Sequence, residues 1–391
     1  MMFYEHISLQ LVLFLILYGV TGVVPAIAAL YLLLRRGNAF APDVKPPVRL
    51  RRWAASFFAV AALGHVWWQL LYIFSCDIYS VGYVVVFVLD YVTLLTTFVG
   101  TQLSMLQDRK RPVWPVLVAM IPFVALCGVL VVYPGDQLMQ VAFAYILLLF
   151  VIFTVYMFFA VRRYGRWLND NYADLENKKV WLSQVVTFGC LLLFILYTLV
   201  DVSSTLLIFL MHLIELVFFC LLLWRVETLP QLQYQTRSRP LLVKEGSEYT
   251  QDDEQSVSFP HSEEQMGGIV VDTFDLDYIS GLLQQHCVAT QLYLQHDLSL
   301  QQLAQAIGTN RSYLSQYFSR QGITYNTYIN NLRINHFISR YQEVAATGQP
   351  IIAQQLASDS GYHSYSTFSL AFKQRTGQCV TAWMRNTHPS P

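Results

Sequence analysis

The pattern of apolar and polar positions divides the chain near residue 225. Before that point, long apolar runs alternate with short polar breaks. A helix needs ~20 mostly apolar residues to cross ~30 Å of hydrocarbon. Seven stretches meet that need, at about 8–34, 53–74, 82–106, 113–133, 141–161, 183–200 and 204–224. The first reads as a span and not as a removable leader, because no basic region precedes it and Arg35 and Arg36 follow it. Only Asp201–Ser203 separates the sixth from the seventh, but an unbroken 183–224 helix would exceed a bilayer.

Beyond Val226 the pattern becomes polar and acidic, punctuated by Pro230, Pro240 and Pro260. Residues 226–271 cannot bury a core and are expected to form a flexible linker, with Pro230 stopping the seventh span from continuing as a rod. From Asp272 a helical period returns with Leu276, Ile279, Leu282 and Leu283 on one face. Ser299 and Gln302 have capping-box spacing, and Leu300, Leu303, Ala304 and Ile307 follow as an apolar stripe. Gly308 supplies a turn, Thr309 is expected to cap the next helix, and Tyr313, Leu314, Tyr317 and Phe318 are expected to face inward. Helix, tight turn, helix is the arrangement that places a second helix in the DNA major groove.

The pattern repeats. Leu303-Ala304-x-x-x-Gly308 recurs as Leu356-Ala357-x-x-x-Gly361, and Phe318-x-x-x-Gly322 corresponds to Phe372-x-x-x-x-Gly377. One helix over about Asn326–Gln342 joins the copies, ~25 Å long at 1.5 Å per residue. The fold class expected is all-α: a seven-helix transmembrane bundle over 1–225, the linker, and a helical double helix-turn-helix domain over 272–391.

Composition agrees with a membrane half. The chain is 55% hydrophobic and only 13% charged, against ~25% charged in soluble domains. Charge also orients the spans, because Lys and Arg stay on the cytoplasmic side. They cluster at 35–52, at Arg109–Arg111 and over Arg162–Lys179, while the alternate loops hold none. The N-terminus is therefore expected outside and the C-terminal domain in the cytoplasm, with the bacterial inner membrane as the compartment. Ionisable groups within spans are functional candidates by default. His65, Asp90, His212 and Glu215 are of this kind, and His212 and Glu215 share a helix face at i, i+3. They form a ligand pocket or signal relay on one reading, and interhelical hydrogen bonds on the other. Cys127, Cys190 and Cys220 read as packing residues.

The C-terminal region resembles the AraC/XylS family of bacterial transcription regulators. The resemblance is carried by Leu303-Ala304-x-x-x-Gly308, Tyr313-Leu314-Ser315-x-x-Phe318 and Tyr328-Ile329-x-x-Leu332-Arg333-Ile334, then by Gly361-Tyr362, Ser364, Ser366-Thr367-Phe368 and Phe372-Lys373-x-x-x-Gly377. It covers about 275–387 and none of 1–225. It implies base contacts from Ser312, Ser315 and Gln316 in the first copy and from Tyr365, Ser366 and Ser369 in the second. Arg311, Lys373 and Arg375 become phosphate contacts, and Arg333 matches an Arg that serves structure as much as DNA. Two departures weaken the second reader. Leu370 stands where the family often has Arg, and Gln378-Cys379-Val380 replaces a Thr-Pro pair.

The partners implied are double-stranded promoter DNA, the lipid bilayer, RNA polymerase, a second copy of the chain and an unidentified ligand. No nucleotide-binding loop, HExxH or catalytic triad is recognisable, and His286, Cys287 and His296 lack zinc-site spacing. No cofactor, metal or enzymatic activity is expected. Two readings stand: a membrane-embedded transcription regulator whose membrane half senses or anchors, and a receptor or transporter-like protein with a regulatory DNA-binding appendage.

Overall fold

The computed structural model describes residues 9–35, 37–42, 44–74, 80–175, 178–199, 205–232 and 276–387. Within them the chain is all-α. Seven long helices make up the N-terminal half: α1 Leu9–Leu34, α2 Val48–Ile73, α3 Val81–Met105, α4 Trp114–Val132, α5 Asp136–Asn171, α6 Trp181–Leu199 and α7 Thr205–Thr228. All but α6 are long and apolar enough, among the described residues, to cross a membrane. The break expected at Asp201–Ser203 lies outside the described residues.

Small and aromatic side chains hold the bundle together. Ala28, Ala29 and Leu32 of α1 meet Ala54, Ala55 and Phe58 of α2, and Phe57 and Phe98 close on Phe218 and Phe219 of α7. Helices without large side chains at the contact approach closely, which dispersion rewards where hydrocarbon offers no hydrophobic drive. Gly100 is such a contact: a Cβ there would lie 2.3 Å from the Trp53 ring. A second cluster joins Phe87 of α3 to Phe123 and Cys127 of α4. Of the threonines of α3, Thr96 keeps its hydroxyl buried without a partner, while the other three turn back on the helix backbone. Thr93, Thr97 and Thr101 each bond a carbonyl four residues earlier.

Two features differ from the sequence expectation. The first is α5, which runs 36 residues, about 54 Å at 1.5 Å per residue, well beyond the ~30 Å of a hydrocarbon core. Its polar end, Arg162–Asn171, projects past its apolar stretch. The second is the start of the linker. Glu227 is fully buried and accepts from the Tyr31 hydroxyl at 3.0 Å. The carbonyl of Pro230 accepts from Gln107 Nε2 at 2.9 Å, and Leu232 N–H donates to Gln107 Oε1 at 2.8 Å. Residues 226–232 therefore belong to the bundle, since their polar groups find partners on α1 and at the end of α3. The remaining linker, 233–271, lies outside the described residues.

The C-terminal half holds α8 Leu276–Leu283, α9 Leu300–Ala306, α10 Arg311–Arg320, α11 Tyr325–Ala346, α12 Ala353–Asp359, α13 Tyr365–Thr376 and α14 Val380–Thr387. Two cores flank α11. Leu300, Leu303, Leu314, Phe318, Tyr325 and Ile329 build the first. Phe337, Leu356, Tyr362, Phe368, Phe372 and Val380 build the second. The connecting helix is longer than expected, 22 residues or about 33 Å, close to the ~34–36 Å of one DNA turn.

Candidate nucleic-acid interface

The first helix-turn-helix is α9, a turn through Gly308 at φ +73°, and α10. Ser299 accepts from Gln302 N–H while Gln302 answers the Ser299 N–H, the reciprocal cap that the spacing promised. The next cap shifts by one residue. Asn310 Oδ1, not Thr309, accepts from Tyr313 N–H at 2.8 Å. That start turns Leu314, Tyr317 and Phe318 inward and leaves Tyr313 exposed, so Tyr313 is not a core residue as expected. Ser312, Ser315 and Gln316 are exposed together on the outer side of α10.

The second unit, α12 and α13, follows the same plan with Gly361 at φ +89°. This glycine is required twice, by its left-handed backbone and by space: a Cβ there would meet the Leu294 carbonyl oxygen at 2.7 Å and Arg333 Nε at 3.0 Å. Ser364 caps α13 by accepting from Thr367 N–H. Ser366 and Lys373 are exposed, and Tyr365 and Ser369 are half-buried. Arg375 is exposed but donates to Asn335 Oδ1 at 2.7 Å, which ties α13 to α11. Leu370 is also exposed, on a helix face otherwise polar.

Arg333 does not reach the surface. Its side chain is fully buried. Nε donates to the Tyr293 carbonyl at 2.7 Å, Nη2 to the Gln295 carbonyl at 2.8 Å, and Nη1 to Asp174 Oδ1 at 2.9 Å. It is a positioning residue, and its burial keeps the guanidinium out of reach of a phosphate. The correction has a physical reason: α11 runs between the two cores, so its inner face is dry.

Asp174 belongs to the membrane half, and it is not alone. The segment after α5 is seated in the first helix-turn-helix unit. Arg311 Nε donates to Asn171 Oδ1 at 2.8 Å. Tyr172 pairs with Ser299 in an antiparallel bridge, and Ala173 N–H donates to the Leu298 carbonyl at 3.3 Å. The Ala173 side chain is buried within the first core. Asn326 Nδ2 donates to the carbonyls of Tyr172 and Ala173. Asp174 Oδ2 accepts from the Asp297 N–H at 2.9 Å, and Lys178 Nζ lies 2.7 Å from Asp297 Oδ1. His363 Nε2 meets the other Asp297 oxygen at 3.0 Å. Burial pushes the Asp297 carboxyl up, but Lys178 and His363 outweigh it and hold the group below the usual carboxylate range. The bundle braces this segment from behind: Tyr164 hydroxyl donates to the Lys178 carbonyl, and Arg225 of α7 to the Lys179 carbonyl.

Sequence reasoning counted Lys178 only as a cytoplasmic charge and passed over Asn171, Asp174 and Asp297. The one signal available was a polar Asn-Asp-Asn-x-x-Asp run just past the fifth span.

In the bundle, three of the four membrane candidates meet. His65 Nε2 is 3.8 Å from Glu215 Oε1 and His212 Nδ1 is 3.3 Å from Glu215 Oε2. Asp90 is held separately, accepting from Trp68 Nε1 at 2.9 Å. Cys287 is buried and its thiol is pushed up to about 12, so it packs as an apolar residue.

Residues 287–386 match the family model described as a helix-turn-helix domain. The match spans both units, and the AraC-type domain is C-terminal to apolar helices of a membrane region. No curated protein and no solved structure matches the chain.

Proposed function

We propose that this protein is a membrane-embedded transcription regulator that binds promoter DNA sequence-specifically through its two helix-turn-helix units, with the membrane half controlling their access to DNA. The observation that carries the reading is the seating of Asn171–Asp174 and Lys178 against the first unit. Arg311 opens α10, and helix-turn-helix proteins put the N-terminal residues of this helix against the base edges. In the docked arrangement Asn171 holds Arg311, so the membrane half occupies the end of α10 that DNA needs. Undocking frees the first reader. The second unit builds its core from its own residues and needs no such release. The long α5 and the Arg225 brace supply a stiff route from the spans to the DNA-binding domain, one that does not run through the linker. Charge distribution favours an external N-terminus in a bacterial inner membrane, which leaves the DNA-binding domain in the cytoplasm.

The test is selection from a random duplex library by the full chain in lipid nanodiscs. Recovered sequences should carry two half-sites about one DNA turn apart. Replacing Ser312, Ser315 and Gln316 by Ala should erase the preference in one half-site only. A recovered pool without sequence preference overturns the reading. So does a reporter fused after Arg225 that is found outside the cell.

A further inference from the structure

The cluster of His65, His212 and Glu215 has a chemistry that the DNA-binding reading does not use. One ligand-type atom from each of the three side chains lies within 4.8 Å of the others. They come from two helices and from positions 147 residues apart, so no sequence spacing could have revealed them. The His65 ring is already oriented. Its Nδ1 is 3.0 Å from the Ala61 carbonyl and so carries the proton that donates to it. That leaves the Nε2 lone pair aimed at the Glu215 carboxylate. A cation placed between the ring nitrogen and the carboxylate would bond to both. A ring nitrogen bonded to a backbone carbonyl, with the opposite nitrogen free, is also how metal-binding histidines are set. Phe14 and Tyr18 of α1 pack on the His212 ring at 5.7 and 5.6 Å between centroids, and Tyr18 on His65 at 5.2 Å. These contacts limit the rotation that would waste ligand geometry.

We propose that His65 Nε2, His212 and Glu215 form a binding site for a divalent transition-metal ion of the Zn2+ class. Two imidazoles and one carboxylate suit that class, and a fourth position stays open to water or to a small ligand. Tetrahedral Zn2+ with bonds of ~2.0–2.1 Å places its ligand atoms roughly 3.3–3.4 Å apart. His212 Nδ1 stands 3.3 Å from one Glu215 oxygen and His65 Nε2 3.8 Å from the other, so the carboxylate sits between the two rings and a bound ion draws the three ligand atoms together from within 4.8 Å. Glu215 supplies a single negative charge, so the filled site has one net positive charge, as would two protonated histidines beside the same carboxylate. The competing occupant is therefore the proton, and the experiment must separate the two.

The full chain, purified in detergent and stripped with chelator, is titrated with Co2+ followed by its visible absorption. The expected result is one Co2+ per chain with the intense bands of a four-coordinate ion, displaced by Zn2+. His65→Gln and His212→Gln should each lower affinity at least tenfold, and Glu215→Gln likewise, while His286→Gln leaves the titration unchanged. Gel filtration of each variant as a single species at the wild-type position shows that the bundle is intact. Absence of saturable Co2+ binding by the wild-type chain overturns the proposal whatever the variants do, and leaves the proton as occupant. Wild-type affinity in the His65→Gln, His212→Gln double variant overturns it equally. DNA binding is not read in this experiment, so its outcome is independent of the function proposed above.

Discussion

In the first helix-turn-helix unit the buried core takes in Ala173 from the membrane half, and the charged network around Arg333 is completed by Asp174. In the second, the core around Phe337, Phe368 and Phe372 closes on its own residues, and α13 is tied to the rest by Arg375 and Asn335. The two units share one sequence pattern and a left-handed glycine at the turn, and in each a side chain caps the second helix, Asn310 in α10 and Ser364 in α13. Their difference lies in what they touch. The first takes a residue of the membrane half into its core; the second, among the described residues, does not. Their reading faces differ in the same sense, with three polar side chains exposed on α10 and an exposed Leu370 on α13.

The largest expected effect breaks the docking. Asp174→Ala leaves the buried Arg333 without its carboxylate in the docked form, whereas the undocked form lets water reach that guanidinium. Removing one partner of a buried ion pair costs about 3–5 kcal/mol, so docking should weaken by roughly two to four orders of magnitude. Hydrogen exchange of the Ala173 amide, which donates to the Leu298 carbonyl in the docked form, reads this directly. Arg333→Ala should behave differently and lower the melting temperature of the whole domain, since the Tyr293 and Gln295 carbonyls also lose their donor.

Next come the readers themselves. Alanine at Ser312, Ser315 and Gln316 should cost about 1–3 kcal/mol per good base contact, and alanine at Tyr365, Ser366 and Ser369 less. Equal losses from the two triple variants, measured by anisotropy on one duplex, would erase the contrast between units. A substitution sharpens it: Leu370→Arg gives the second unit a bidentate donor for guanine and should raise discrimination at one position by up to about 1–3 kcal/mol. Selection from a duplex library should then return a new guanine in the second half-site only.

The smallest effect is a pH dependence. Asp297 is held below its usual range in the folded chain, so its contacts with Lys178 and His363 contribute fully above the ordinary carboxylate pKa. They are lost as pH falls through the lowered value. The carboxylate is more than half exposed, so solvent screens the effect. Hydrogen exchange of the docked segment should rise slightly at acid pH, and Asp297→Asn should flatten that rise.

The long apolar helices, the duplicated units and the Ser299 cap were legible because each rests on local periodicity: an apolar run, a capping box, a glycine turn. Tyr313 was placed inward because four apolar-compatible positions were read as one stripe, when only Leu314, Tyr317 and Phe318 share a face. The docked segment was not legible. Asn171 and Arg311 are 140 residues apart, and nothing in a polar run after a span says whether it faces water or another domain. The His65–Glu215 meeting was hidden for the same reason: the four ionisable candidates were visible singly, but which of them converge is decided by helix packing. Arg333 shows the opposite case. Its motif position was clear, and its burial follows from lying on the inner side of α11 between two cores.

The account turns on one claim, that docking of Asn171–Asp174 and DNA binding by the first unit exclude each other. Tyr172 and Ser299 face each other in an antiparallel bridge, where Cα atoms stand about 4.5–5.5 Å apart, within reach of a disulfide. The decisive measurement is the DNA affinity of a Tyr172→Cys, Ser299→Cys chain in nanodiscs, before and after reduction. The oxidised chain should lose its preference for the half-site read by Ser312, Ser315 and Gln316, keep that of the second unit, and recover the first on reduction. Wild-type affinity and preference in the oxidised, fully cross-linked chain would contradict the account.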